Sequence, residues 1–110
     1  MKKSQTYLPA TLAAVSALGA QIAIARRELG WTAAELADRL GVGAAAVSRL
    51  ENGAPGTAIG TVLEAAIVTG VPLFDTNPAG LAQVASAQRA QLAILPSRIR
   101  RKTVEVDDDF

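Results

Sequence analysis

Along the first third of the chain, Leu12, Val15, Leu18, Ile22, Ala25 and Leu29 return at steps of three and four residues, the period of one helix face. Pro9 lies where such a helix begins, because a first-turn proline gives up no hydrogen bond. Gly19 marks a candidate division into a short leading helix and a main one. Gly30, just after Arg26 and Arg27, reads as the end. Thr32 with Glu35 three residues later is a capping box; it opens a second helix over 33–40, which Gly41 stops. After Val42 and Gly43 a third helix is expected over 44–51, closed by Asn52 and Gly53. The turn "NGAPG" leads into a fourth over 58–69, apolar at Ile59, Val62, Leu63, Ala66 and Ile67. Val71, Leu73 and Phe74 of "GVPLF" are then available to fold back on the core. Asn77 before Pro78 starts a fifth helix over about 79–94, with Leu81, Val84, Ala85, Gln88, Leu92 and Leu95 on one face. Pro96 ends it.

The stretch "LADRLGVGAAAVSRLENG" has the spacing of a helix-turn-helix. That unit needs a small residue where its helices nearly touch and a glycine where the chain reverses. Ala37 and Gly41 supply them, and Leu36, Leu40, Val42, Val47 and Leu50 pin both helices to the body. Those five would be core in any helical bundle. What favours the helix-turn-helix is their joint fit with Thr32, Glu35, Ser48, Arg49, Glu51 and Gly53.

Composition agrees with an all-α fold. Half of the 110 residues are apolar and only 4% aromatic, which suits small helices packed through alanine faces. With no Cys and no His, disulfides, thiolate metal sites and the commonest general base are excluded, and nothing points to an enzyme, metal or cofactor. The start, "MKKSQTYLPATLAAVSALGAQIA", shares two Lys and an apolar run with secretory signals. Against that, Gln21, Ile22 and the basic residues after them continue one amphipathic pattern, and no run is read as membrane-spanning without polar interruption. A soluble, cytoplasmic protein is expected. Net charge is only +1, but its distribution is uneven: Arg98, Arg100, Arg101 and Lys102 form a basic run, and Asp107, Asp108 and Asp109 an acidic one.

"GWTAAELADRLGVGAAAVSRLENG" resembles the Xre/Cro-type regulators, and the resemblance implies a lambda-repressor-like five-helix DNA-binding domain acting as a dimer. The continuation "AIGTVLEAAIVTGVPLF", the segment "RIRRK" and the end "VDDDF" are similar to HipB-like antitoxins. This implies a homodimer that binds a double-stranded operator, represses its own operon and restrains a HipA-type kinase toxin. The corresponding division is a leading segment 1–17, a DNA-binding domain 18–76, a fifth helix 77–95 suited to dimerisation, and a flexible charged tail 96–110.

The third helix opens on Ala44, Ala45 and Ala46, where the family usually carries Ser, Arg, Gln or Thr, and Ala33 stands where it often has Gln. Base reading by hydrogen bond needs donors and acceptors, and alanine offers only a methyl contact to thymine. Thr32, Ala33, Gly43, Ala44, Ala45, Ser48, Arg49 and Asn52 are the candidate DNA-facing residues, with Arg26, Arg27 and Arg39 at the rim. Hydroxyls and guanidiniums suit phosphates. Arg49 has a second reading, an ion pair with a nearby Glu. Glu51 is read as bracing the following turn, and Trp31 as a staple between helices. In the tail, Arg98, Arg100, Arg101, Asp107, Asp108, Asp109 and Phe110 are candidate partner contacts, with simple solvation as the other reading. Two functions stand: a regulator of antitoxin type, or an interaction module that kept the fold and lost most DNA binding.

Overall fold

A computed structural model describes residues 6–99 and Arg101. Its elements are α1 (Pro9–Glu28), α2 (Ala33–Leu40), α3 (Ala44–Glu51), α4 (Ile59–Thr69) and α5 (Pro78–Ala93). Four of the five end alike. Just beyond the last helical turn a glycine is left-handed, and the next amide reaches back five residues to a carbonyl of the helix's last turn. The bonds run from Trp31 to Arg26, Val42 to Ala37, Ala54 to Arg49 and Val71 to Ala66, at 2.8–3.1 Å. Capping by sequence therefore fixes where each helix stops, and the second and third fall on the expected residues.

α1 is one continuous helix, which corrects the expectation of a division at Gly19. Gly19 is buried where α1 crosses the end of α3: a Cβ there would stand 2.5 Å from the Leu50 carbonyl oxygen and 2.9 Å from that of Glu51. The glycine is there for close approach. Because α1 is unbroken, it is long and apolar enough to cross a membrane by length and composition (20 residues, mean hydropathy 1.2), contrary to the sequence reading. Its Gly19, Ile22 and Arg26 are nevertheless buried in the domain. Ile22 joins Leu36, Ala37, Val47, Leu50, Ala65, Ala66 and Val71 in the core, where α1, α2, α3 and α4 meet.

After α4, Val71 is buried and Leu73 packs on the core, as expected. Phe74 does not: it is 74% exposed. Phe74 and Asp75 both take positive φ, a tight reversal that turns the ring outward, bracketed by a bridge between Leu73 and Thr76. α5 is capped by Asn77, whose side-chain oxygen accepts from the Gly80 amide at 3.2 Å, and none of its residues is buried. Arg98 and Arg101 are exposed. Arg100, Asp107, Asp108, Asp109 and Phe110 lie outside the described residues.

Candidate nucleic-acid interface

The helix-turn-helix begins at Thr32. Its hydroxyl accepts from the Glu35 amide at 3.1 Å, and its own amide donates to the Glu35 carboxylate at 2.7 Å. Two orphan donors of α2 are thereby satisfied. The bonds from Thr32, its amide first and its side chain second, hold the Glu35 carboxyl below its ordinary value. At the other end Gly41 takes φ 70°, and Val42 folds back on Ala37. That reversal sets α3 against α2 at a fixed angle.

α3 starts at Gly43, whose carbonyl accepts from the Ala46 amide at 3.0 Å, and no side chain caps this end. Val47 and Leu50 face the core. Ala44, Ala45, Ser48, Arg49 and Asn52 are exposed, and Ala46 is half-buried. Ala44, Ser48 and Asn52 follow each other at four-residue steps, so they share one face of α3. The Asn52 side-chain amide lies 3.4 Å from the Ser48 hydroxyl, a long donor distance that leaves both groups open to other partners. The outward edge thus runs from methyl groups in the first turn to a hydroxyl, a guanidinium and an amide in the last two. Ala33 is half-buried and packs on the core, so it contributes mainly its backbone to this edge.

Among the described residues no ion pair engages Arg49, so the pairing with a nearby Glu is not found. Arg26 is the larger correction. It is buried, not at the rim: Nε donates to Glu51 Oε2 at 2.7 Å, Nη2 to Oε1 at 2.9 Å and Nη1 to the Trp31 carbonyl at 2.8 Å. The Glu51 hydrogen bond and charge raise its pKa against the opposing effect of burial. Glu51 therefore braces the end of α3 against α1. The signal was in the chain, since Arg26 stands four residues after Ile22 on the buried stripe. Arg39 sits over the Trp31 ring, 3.9 Å from its centroid, a contact the spacing of the two residues did not announce. Trp31 itself is half-buried and packed on the core, as a staple would be.

A capped α2, a left-handed glycine turn and an α3 held by its inner face with its outer face free together make a helix-turn-helix, the unit with which DNA-binding regulators enter the major groove. Residues 17–75 match the family described as a helix-turn-helix domain, and the chain belongs to that family. No curated protein and no solved structure matches it.

Proposed function

We propose that the protein is a transcriptional regulator of the antitoxin type: a homodimer in the cytoplasm that binds a two-half-site operator, represses its own operon and holds a HipA-type kinase. The observation that carries the DNA-binding part is the free outer edge of α3, with Ser48, Arg49 and Asn52 exposed while Val47 and Leu50 anchor the helix from behind. In this reading Thr32, Ala33, Gly43, Ala44, Ala45, Ser48, Arg49 and Asn52 meet the duplex, mostly at phosphates.

Dimerisation is supported by what α5 leaves uncovered. A 16-residue helix with no buried residue is marginal alone. It flanks an open apolar groove of about 380 Å³ lined by Leu63, Ile67, Leu73, Phe74, Leu81 and Val84. Two-fold pairing covers such a face and presents two reading helices at once. Arg98 and Arg101, both exposed, together with Arg100, Asp107, Asp108, Asp109 and Phe110, are left for the kinase.

The second reading, an interaction module with little sequence-specific DNA binding, is favoured by one observation. Exposed Ala44 and Ala45 open α3 without a hydrogen-bonding group. Anisotropy titrations of the chain's own upstream region and a scrambled duplex, with and without the kinase, separate the two. The regulator gives saturable binding that favours the upstream region and that the kinase tightens, whereas the module binds both duplexes weakly and alike, or binds neither.

A further inference from the structure

We infer that Trp31 is a positioning residue that holds the Arg39 guanidinium ready for a backbone phosphate of duplex DNA; the inference rests on the DNA-binding reading above. Arg39 stands in the last turn of α2, but its side chain runs back along the helix, as helical side chains do, to lie over a ring that precedes the first turn. The guanidinium and the ring therefore meet alongside α2, where the Arg39 charge also acts on the Glu35 carboxylate. The residue that carries the ring is held by its backbone, and its side chain packs on the core. The Trp31 amide donates to the Arg26 carbonyl at 3.1 Å, and its carbonyl accepts Arg26 Nη1 at 2.8 Å. Through the Arg26–Glu51 pair, the same anchor fixes the end of α3. Arg39 is thus set relative to both helices of the motif.

The kind of contact matters. Among the described residues no ion pair engages Arg39; Glu35, one turn earlier, attracts it only through space. An ion pair would occupy the N–H edge of the guanidinium and cancel its charge. Stacking on an aromatic face does neither, because the five N–H donors lie in the plane and point away from the ring. It also restricts a long side chain that otherwise loses much rotamer freedom on binding. Arg39 is exposed, so its fork is open to solvent and to a phosphate.

The test uses the full chain and a mixed-sequence duplex of about 21 bp, two helical turns, because phosphate contacts need no operator. Arg39→Gln is expected to weaken binding several-fold and to lower the magnitude of the slope of log K against log salt by about 0.9 for each Arg39 engaged, about 1.8 for a dimer. Trp31→Leu is expected to weaken binding in the same direction, and Trp31→Phe, which keeps a ring face, to restore most of it. Thermal melts confirm that each variant is folded. As Trp31 is the sole tryptophan, its emission reports this spot alone and is expected to change as duplex is added. Wild type binding with an unchanged slope and affinity in Arg39→Gln overturns the inference and leaves the DNA reading intact. A loss in Arg39→Gln without one in folded Trp31→Leu overturns the positioning role. Wild type binding no duplex at any salt removes the DNA reading, and this inference with it.

Discussion

Arg26 reaches Glu51 with both Nε and Nη2, at 2.7 and 2.9 Å, and so ties the last turn of α1 to the last residue of α3. Both side chains are about nine-tenths buried. Arg26→Ala leaves a carboxylate in that position without its partner, and is expected to cost about 3 kcal/mol. The double change Arg26→Met, Glu51→Leu removes both charges and is expected to recover most of the loss. Chemical denaturation of the three proteins checks this. A single variant as stable as wild type contradicts it.

Gly19 and Gly60 separate packing from backbone freedom. Gly19→Ala drives a methyl into the carbonyls of Leu50 and Glu51 and is expected to destabilise by about 2 kcal/mol. Gly60, in the first turn of α4, has nothing near its missing Cβ, and Gly60→Ala is expected to stabilise by about 0.5 kcal/mol. Melting temperatures moving in opposite directions are the expected result.

Glu35 gives the capping box a pH dependence. Its carboxyl is held below the ordinary value by the Thr32 bonds, so its contribution is complete above the unfolded pKa and is lost as pH falls through the folded one. The gap in urea midpoint between wild type and Glu35→Gln is therefore expected to be largest near neutrality and to close in acid. A gap constant down to strongly acidic pH contradicts the assignment.

Much of this molecule is legible in its sequence, because the information lies in local chemistry. Thr32 with Glu35, and the glycines at 41 and 53, set helix ends through bonds made within a few residues, so α2 and α3 fall where the spacing places them. What escaped is non-local. Gly19 looked like a break because its partner carbonyls belong to α3, 31 and 32 residues further on. Arg26 looked like a surface cation because Glu51 is 25 residues away. Phe74 looked like core, but the left-handed pair at Phe74 and Asp75 turns it out, and although Asp tolerates that conformation, an aromatic residue does not announce it.

Dimerisation through α5 is the expected state at tens of micromolar, because two-fold pairing covers the exposed face of that helix. Leu92 and Leu95 are 55% and 58% exposed, so Leu92→Asp with Leu95→Asp removes apolar cover without touching the core. Sedimentation is expected to show a dimer for wild type and a monomer for the double variant. A wild-type monomer contradicts the interface.

As proposed above, the protein binds DNA through a reading helix blunted in its first turn, where Ala44 and Ala45 are exposed and Ala46 is half-buried. Each bidentate base contact is worth about 1–3 kcal/mol of discrimination, so lacking two or three removes much of the usual specific margin. The most direct measurement selects the best duplex from a random pool and compares its Kd with that of a scrambled duplex at fixed physiological salt. Both are expected to bind, with a ratio below about a thousandfold, the low end for specific regulators. Ala44→Gln with Ala45→Gln is expected to change that ratio while leaving the melting temperature in place. A ratio of about 10⁵ or more from the isolated wild-type protein, or no binding to either duplex, contradicts it.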